Sequence, residues 1–543
     1  MEALENMAFI ANAVSLVTYF MGYMNFSLTK SANTVTNFMG TSFILAIIGG
    51  VIADSYLTRF TTCVLFGIIE LLGYALLTVQ AHFDQLRPTP CTDVSKQCEA
   101  ANTGQAAILY TGIYLVALGT SGVKGALPLL GADQFDSKDP KEAAQLSSFF
   151  NWFVFSMTGG SIAGVTFVVW ISSNKGWDWA FGVCTIAVLL AIVFLCIGKP
   201  FYRKNAPKGS SIIRIIQVLV SAIRNRDLPL PKKEDELYEI YDKGTVVMPN
   251  EILQRTNQFR FLDRAAVHIT SRGASPIMTP GPWRLNTVTQ VEETKILLRM
   301  LPIVLSTVFI NTCLAQLQTF SVRQSMTMDT RIFGFKIPAA SLPVIPMVFN
   351  FIFIPIYDRI FVPLARKVTG IPTGIRYLQR VGVGLVLSTI SMAISALMET
   401  RRKSVAVKNN MVDSNDPLPM SVFWLGFQYA VFGLADMFTL VGLLEFYHAE
   451  SSARMKGTST AISWFSLAFG YFISSLVVEV VNRASGGWLA SSNVNRDKLN
   501  YFYWLLSTLS AVNFVIYLVC ASWYKYKNVK MKQENFTDGN AER

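Results

Sequence analysis

Long apolar stretches recur along the whole chain, and a single polar segment near the middle interrupts the series. The hydrocarbon core of a bilayer is about 30 Å thick and takes roughly 20 helical residues to cross. Lipid offers no hydrogen-bonding partner to a backbone amide, so such stretches are helices or strands of a closed barrel. Barrel strands alternate apolar and polar residues, whereas these stretches are continuously apolar. The pattern predicts about twelve membrane-spanning helices, at residues 4–23, 34–53, 61–81, 105–129, 147–171, 177–197, 291–322, 338–361, 377–399, 420–447, 457–481 and 499–524.

The polar segment divides the predicted helices into two sets of six. We expect an N-terminal half at residues 1–198, a charged cytoplasmic connector at 199–290, a C-terminal half at 291–526 and a cytoplasmic tail at 527–543. Transporters are often built from two such halves, with the substrate site between them near the middle of the membrane. The sequence thus predicts an all-α membrane protein with two six-helix halves.

Lysine and arginine residues in the short loops predict the orientation of the chain. Basic residues cluster after the second, fourth, eighth and tenth predicted helices, in the connector and in the tail. These segments are expected to face the cytoplasm, together with both termini. One loop disagrees with the rule, because Arg401, Arg402, Lys403 and Lys408 would lie outside.

The composition excludes several classes of protein. Hydrophobic residues make up 52% of the chain and charged residues only 15%, against about 25% charged residues in soluble domains. The net charge of +12 does not indicate nucleic-acid binding, because the basic residues lie mainly in loops between apolar stretches. The sequence contains no CxxC, HExxH or P-loop motif, so no metal site, cofactor, enzymatic activity or ATP-driven pump is expected.

Two of the seven cysteines, Cys91 and Cys98, share one polar loop that is predicted to lie outside the cell. An oxidising exterior would allow these thiols to pair, so a disulfide and two free thiols remain alternatives. The other five cysteines lie in apolar stretches, where small core residues are the ordinary interpretation.

Ionisable side chains within the predicted spans are rare, because each is costly in lipid, and each is therefore a candidate functional group. Glu2 and Glu5 are three residues apart and share one face of the first helix. Lys124 lies at a comparable depth in the fourth helix. These groups could exchange a proton, or they could form a fixed structural salt bridge.

Three more carboxyl groups lie within predicted spans. For Asp436, in the tenth helix, there are two interpretations: it binds the substrate or a proton, or its carboxyl group is hydrogen-bonded to a neighbouring helix. We favour the first interpretation. Glu70 and Glu479 are expected to have structural roles.

The turn between the second and third helices carries a more specific pattern. Asp54 follows the residues GVIA at 50–53, and Arg59 comes five residues later. A carboxylate and a guanidinium at this spacing bracket the turn and can clasp a neighbouring helix. The pattern resembles the loop signature of the major facilitator superfamily, which implies a gating role for Asp54 and Arg59 on the cytoplasmic side.

Six further motifs occur in both halves of the chain: GADQFD at 131–136, FFNWF at 149–153, VEE at 291–293, IYDR at 356–359, LQR at 378–380 and FYW at 502–504. Together they resemble the proton-coupled oligopeptide transporter family, and within it the plant nitrate/peptide branch. The resemblance covers nearly the whole chain and implies the major facilitator fold.

The family carries a Glu-x-x-Glu-Arg motif in its first helix, to which the resemblance assigns proton coupling. Glu2 and Glu5 match its glutamates, whereas Asn6 stands at the position of its arginine. Lys124 matches a lysine of the family's fourth helix, so Glu2, Glu5 and Lys124 form the expected proton-linked cluster. The loss of one cation beside two carboxylates is expected to weaken anion binding.

Other positions indicate a cavity less polar than that of peptide or nitrate transporters. Phe9 stands where peptide-transporting members have a tyrosine, and Thr158 where they have an asparagine. Leu314 stands where nitrate-transporting relatives can have a histidine, and Asp436 replaces a glutamate. The residues expected to line the cavity are Asn6, Phe9, Lys124, Thr158, Leu314, Gln318 and Asp436.

These changes favour a larger amphipathic solute with one carboxylate. The stretches at 4–9, 31–33 and 314–317 resemble the plant subgroup linked to import of abscisic acid and gibberellin, which are weak acids with bulky apolar bodies. We expect a plasma-membrane importer that works by alternating access, with the organic acid, protons and the lipid bilayer as its partners. Full-length members extend further upstream, which implies a truncated sequence or a shortened relative.

Two alternatives remain open. The first is a proton-coupled symporter of nitrate or of di- and tripeptides. The second is a non-transporting membrane receptor that binds its ligand and signals through the charged connector.

Overall fold

The structure is a computed structural model of the 543-residue chain. Cys91 and Cys98, for which a disulfide and two free thiols are the alternatives, and the tail at 527–543 lie outside the residues that the structure describes. The described residues are 1–26, 28–89, 101–136, 139–203, 211–231, 237–238, 253–267, 281–332, 335–336, 342–371, 374–414, 416–452, 455–489 and 493–526.

Helices dominate the described part of the chain. The α-helices are α1 (Glu2–Gly22), α2 (Leu28–Ser55), α3 (Arg59–His82), α4 (Thr103–Ala132), α5 (Pro140–Ala163), α6 (Val169–Asn174), α7 (Trp177–Ile197), α8 (Ser211–Arg224), α9 (Val288–Ser325), α10 (Val344–Ile356), α11 (Val362–Thr369), α12 (Tyr377–Lys408), α13 (Gly426–Glu450), α14 (Lys456–Ser485) and α15 (Leu499–Trp523).

Shorter elements connect these helices. Five-residue π-helical turns at Gly164–Val168 and Tyr357–Phe361 join α5 to α6 and α10 to α11. The 3-10 turns are Asp84–Leu86, Lys199–Phe201, Arg260–Ala266 and Val422–Leu425. Of the strands β1 (Met328–Asp329), β2 (Arg331–Ile332), β3 (Phe335–Lys336) and β4 (Leu418–Ser421), β1 pairs in parallel with β4 and β2 pairs antiparallel with β3.

Twelve helical spans within the described residues are long and apolar enough to cross a membrane, which confirms the predicted number. The eighth span runs from Val344 to Thr369 and is therefore longer than the predicted 338–361 at its C-terminal end. The prediction ended too early because the basic residues Arg366 and Lys367 were assigned to a cytoplasmic loop. In the structure both belong to α11, which continues the span to Thr369.

Each half has a buried apolar core, and the helix pairs α2–α14 and α5–α10 form the largest of several contacts between the halves. At the contact between α2 and α14, the rings of Phe43 and Trp464 stack with centroids 5.8 Å apart. At the contact between α5 and α10, the rings of Phe155 and Phe351 stack at 4.2 Å. These two contacts place α1, α4 and α14 around a common interior, where the candidate site lies. The boundaries of the halves, the connector and the tail stay predictions.

The position of α1 depends on small residues in α5. A Cβ at Gly160 would lie 2.0 Å from the carbonyl oxygen of Ala3, and a Cβ at Gly164 would lie 2.4 Å from that of Met7. Glycine at both positions lets the two backbones approach closely, as small residues do in membrane helix pairs. The first turn of α1, with its two glutamates, is thereby held deep in the N-terminal half.

The described part of the connector is anchored to the start of α9 by a buried network of charges. Asp263, in the 3-10 turn, lies 2.5 Å from Lys295 and 2.9 Å from Arg255. Glu292 lies 2.7 Å from the same lysine and 3.2 Å from Arg299. All five side chains are at most 10% exposed, so their charges compensate one another rather than meeting water.

The structure accounts for the loop that disagreed with the orientation rule. Residues 401–403 belong to the last turns of α12, beyond the predicted end of that helix. Arg402 is buried and pairs with Glu399 at 2.7 Å. It also donates hydrogen bonds to Thr327 at 2.8 Å and to Asn495 at 2.5 Å.

The two neighbours of Arg402 have partners in the protein as well. The guanidinium of Arg401 lies 3.7 Å from the centroid of the Trp424 ring. Lys403 donates to the backbone carbonyl of Asp497 and, at 3.3 Å, to Asn500. The orientation rule applies to basic residues in the loops between spans. These three basic residues instead have partners within the protein, and they hold the predicted outer ends of α12 and α15 together.

Replacement of Arg402 by methionine is expected to lower the free energy of unfolding by about 3–5 kcal/mol, because it leaves Glu399 as a buried and unpaired charge. The matched control is Arg401→Met, which removes a stacked cation worth only about 0.5–1 kcal/mol. Thermal unfolding of the purified protein in detergent measures both variants. Equal melting temperatures for the two variants would contradict this assignment.

Candidate functional site

Lys124 is the centre of the candidate site. Its Nζ lies 3.4 Å from Oε2 of Glu5 and 3.4 Å from Oδ1 of Asn6, both on α1. The side chains of Lys124 and Glu5 are only 2% and 1% exposed. Charged hydrogen bonds of this type are typically about 2.7–2.9 Å long, so the ammonium is held loosely. Because an ammonium has three donors, Lys124 retains the capacity to bind a further anionic group.

Asn6 has a defined orientation at the position where the family has an arginine. Its Nδ2 donates hydrogen bonds to the carbonyl oxygen of Met157 at 2.9 Å and to Oγ of Ser161 at 2.6 Å. The amide oxygen is therefore turned toward Lys124 and acts as an acceptor. Thr158, between these two contacts on α5, donates its hydroxyl to a carbonyl of its own helix at 2.8 Å.

Two more glutamates accompany the ion pair. Glu2 is 6% exposed, and its Oε2 has no hydrogen-bond partner among the described residues. Glu70 on α3, for which the sequence favoured a structural role, is completely buried and accepts a hydrogen bond from Thr120 at 3.0 Å. It lies within electrostatic range of Glu5, Lys124 and Glu2, which the sequence alone did not indicate.

Aromatic rings enclose the ammonium group. Nζ of Lys124 lies 4.8 Å from the ring centroid of Phe9 and 5.6 Å from that of Trp464. Phe9 is 1% exposed and packs against Phe38 and Phe43, so it forms a fixed wall of the site. Trp464 belongs to the C-terminal half, and its Nε1 has no hydrogen-bond partner among the described residues.

The predicted residues of the C-terminal half form a second group around one tyrosine. The hydroxyl of Tyr471 on α14 donates to Oε1 of Gln318 on α9 at 3.0 Å, and the same tyrosine lies in electrostatic range of Asp436 on α13. Leu314, one turn before Gln318, is partly buried against the C-terminal core. The sequence analysis did not single out Tyr471.

Helix α14 joins the two groups. Trp464 and Tyr471 are seven residues apart, which places them on one face of the helix about 10 Å apart along its axis. The first contacts Lys124 and the second contacts Gln318. The arrangement places a cation at one end, amide and carboxyl groups at the other, and aromatic surface between them.

The predicted gating residues form a clasp within the N-terminal half. Arg59 lies 3.6 Å from Asp54 and also pairs with Asp133 at the end of α4. Nearby, the backbone N–H of Asp136 and the guanidinium of Arg203 both donate to Glu142, which holds the pKa of that carboxyl below its usual range. These contacts fasten the ends of α2, α3, α4 and α5 on the predicted cytoplasmic side.

A separate network connects the two halves on that side. Asp358, in the π-helical turn of the eighth span, accepts hydrogen bonds from three residues of α5. The donors are Ser148 at 2.8 Å, Asn151 at 2.7 Å and Trp152 at 3.2 Å. The sequence showed Asn151, Trp152 and Asp358 only as parts of motifs and gave no indication that they meet or that Ser148 joins them.

Arg380 on α12 completes this network. It donates to Oδ1 of Asn151 at 2.8 Å and lies 3.3 Å from Glu445 on α13. Beneath the polar groups, an apolar cluster brings together residues of α5, α10 and α13, including Phe150 and Leu444. The predicted cytoplasmic side is therefore closed by both polar and apolar contacts.

The two halves also pack against each other at α2 and α14, where Gly40 lies against the ring of Phe472. Within the described residues, α1 and α9 make no more than isolated contacts with each other. The network around Asp358 closes the predicted cytoplasmic ends in this conformation.

Comparisons with known proteins agree with this architecture. The model of the POT family matches residues 60–494. Two relatives from Arabidopsis thaliana, Protein NRT1/ PTR FAMILY 4.6 and Protein NRT1/ PTR FAMILY 4.5, are each 44% identical to this chain. Both alignments cover 97% of this chain, with 93% of the first relative and 92% of the second.

Solved structures show the same fold at low sequence identity. A crystal structure of an auto-inhibited POT family peptide transporter has a TM-score of 0.61 at 17% identity, with 96% of each chain covered. A POT family transporter in complex with 5-aminolevulinic acid has a TM-score of 0.58 at 11% identity, with 96% of this chain and 94% of that chain covered. These matches confirm the predicted major facilitator fold, and the chain is a multi-pass membrane protein that belongs to the POT family of transporters.

Proposed function

We propose that the protein imports an amphipathic organic acid with one carboxylate across the plasma membrane, by alternating access and together with a proton. A phytohormone such as abscisic acid or gibberellin fits this description. The observation that carries the proposal is the position of Lys124, whose buried ammonium is held loosely by Glu5 and is flanked by two aromatic rings from opposite halves.

The ion pair supplies a way to couple substrate to proton. A substrate carboxylate takes the place of Glu5 at the ammonium of Lys124, and Glu5 then takes up one proton because a buried carboxylate without a cation is costly. One negative charge and one proton enter together, so the net charge of the site is unchanged. Release of the substrate lets Lys124 return to Glu5, which gives up its proton.

The side walls of the site favour an apolar body. Phe9 and Trp464 offer aromatic surface beside the cation, and Leu314 offers aliphatic surface near Gln318. Abscisic acid and gibberellin are weak acids with large apolar rings, whereas nitrate has no apolar part. In alternating access, a solute enters from outside only while the cytoplasmic side is closed, as it is in this conformation.

The second candidate is proton-coupled transport of nitrate or of di- and tripeptides. It is favoured by the names of the Arabidopsis relatives and by the peptide transporters among the solved structures. A receptor that binds ligand without moving it is the candidate from another class. Because the chain belongs to a family of transporters, movement of the ligand across the membrane is favoured over signalling.

Uptake of radiolabelled solutes into oocytes expressing the chain separates these candidates. The comparison includes abscisic acid, a gibberellin, nitrate and a dipeptide, in acidic and neutral medium and with a protonophore. We expect hormone uptake above that of control oocytes, sensitive to the protonophore, without nitrate or dipeptide flux. Flux of nitrate or dipeptide alone would support the second candidate, and ligand binding without flux would support a receptor.

A further inference from the structure

Glu70 is a completely buried carboxyl group in the membrane-spanning part of α3, and the fold holds it tightly. A Cβ at Gly119 of α4 would lie 2.4 Å from the Cβ of Glu70, so the glutamate fits only because that residue is glycine. Its Oε1 accepts the hydroxyl of Thr120 at 3.0 Å. Its Oε2 has no hydrogen-bond partner among the described residues.

Counting charges indicates that the cluster holds at least one proton. Glu2, Glu5 and Glu70 face Lys124, which contacts only Glu5 among them within ion-pair distance. Even when the amino group of Met1 beside Glu2 and Glu5 is counted as a second cation, three carboxyl groups face two cations. A buried carboxylate without a cation costs several kcal/mol, so at least one of the three is neutral.

Thr120 connects Glu70 to the ion pair. Its hydroxyl donates to Glu70 and also lies within reach of Glu5. A hydroxyl can donate one hydrogen bond while accepting another, so it can pass a proton between two carboxyl groups without moving them. Glu70 and Glu5 are therefore linked through a single side chain.

On the other side of Glu70, polar groups continue toward the predicted extracellular end. Tyr74 lies one turn further along α3 and is completely buried. It faces Asn12 of α1, whose Nδ2 also contacts Sγ of Cys184 on α7 at 3.8 Å. The titratable groups facing Glu70 are thus Tyr74 on its own helix, Glu2 and Glu5 on α1, Lys124 on α4 and Cys184 on α7.

We propose that Glu70 is a proton-relay residue of this transporter, which stores a proton beside the cluster and passes it through Thr120 to Glu5. The proposal rests on the proposed function, because the transfer occurs when a substrate carboxylate takes Lys124 from Glu5. The Thr120 hydroxyl first turns from Glu70 toward Glu5; the proton of Glu70 then moves to the Thr120 oxygen as the Thr120 proton moves to Glu5, so the charge of the cluster is conserved. Glu70 is then reloaded from the side of Tyr74 and Asn12.

The test uses purified full-length protein in proteoliposomes and the Glu70→Gln variant, which keeps the shape and the hydrogen bond from Thr120. Proton influx on addition of the transported acid is expected to fall about tenfold or more, as for loss of a positioned proton-transfer group. Exchange of labelled for unlabelled acid at equal pH needs no net proton transfer and is expected to stay within about twofold. Thr120→Val should reproduce the loss, and Thr120→Ser should restore the flux.

Glu479→Gln is the matched control, since Glu479 is an exposed carboxyl paired with Arg483 outside the cluster. Unchanged proton influx in Glu70→Gln, or an equal loss in Glu479→Gln, would overturn the relay. Infrared difference spectra of the protein between acidic and neutral buffer give a readout that needs no substrate. The band of a buried protonated carboxyl should be present in the wild type and lost in Glu70→Gln, and a band that stays in the variant would overturn the relay. A wild type that transports no organic acid would instead refute the proposed function, whatever the spectra show.

Discussion

Replacing Lys124 with alanine is expected to reduce uptake of the organic acid by about 30-fold or more, because a buried charge partner is worth about 2–5 kcal/mol to binding. The substrate carboxylate then has no cation to meet in the interior. The amount of protein at the cell surface is expected to stay the same, since Glu5 can take up a proton when its partner is lost. Radiolabelled uptake, normalised to surface protein, measures the effect.

Two further variants make this prediction specific. Lys408→Ala removes a lysine from the last turn of α12, outside the candidate site, and should leave uptake unchanged. Glu5→Gln combined with Lys124→Met removes both charges and so checks that the fold tolerates their loss. Normal uptake by Lys124→Ala would refute the assignment of Lys124 as the carboxylate partner.

Replacing Asp358 with alanine is expected to open the predicted cytoplasmic side. The change removes the acceptor of three hydrogen bonds from α5, each worth about 1.5–3 kcal/mol when it involves a charged group. Amide hydrogen–deuterium exchange should therefore rise at the cytoplasmic ends of α5 and α13. Uptake from outside should fall, because the conformation that receives the solute is less populated.

Asp413→Ala is the control for this second prediction. It also removes one carboxylate, but Asp413 is exposed and pairs with Arg496 away from the network that joins the halves. The guanidinium holds the pKa of Asp413 below its usual range without linking the two halves on the cytoplasmic side. Exchange at α5 and α13 that is the same in both variants would contradict a closing role for Asp358.

Much of the fold followed from the sequence because the bilayer imposes a simple rule of length and apolarity. The number of spans was correct, and errors arose where the helices carry charged residues. The eighth span includes Arg366 and Lys367, and α12 continues past Arg402, whose side chain finds partners inside the protein. Hydropathy alone treats such residues as ends of a span.

The candidate site was only partly predictable. Glu5 and Lys124 stood out because each is a charge within an apolar stretch, and the structure brings them to 3.4 Å. Trp464 and Tyr471 did not, because aromatic residues are common throughout these helices and only tertiary packing shows which ones face the interior. Glu70 was assigned a structural role, and its proximity to the cluster depends on the packing of α3 against α4.

The most direct test of the proposed function is transport by the purified protein in proteoliposomes loaded at neutral pH and diluted into acidic medium. The measurement is the uptake of radiolabelled abscisic acid, corrected for diffusion into protein-free liposomes. The account predicts uptake that depends on the protein, falls when the pH gradient is removed and is lost in Lys124→Ala. Uptake equal to that of protein-free liposomes, with nitrate or a dipeptide carried instead, would contradict it.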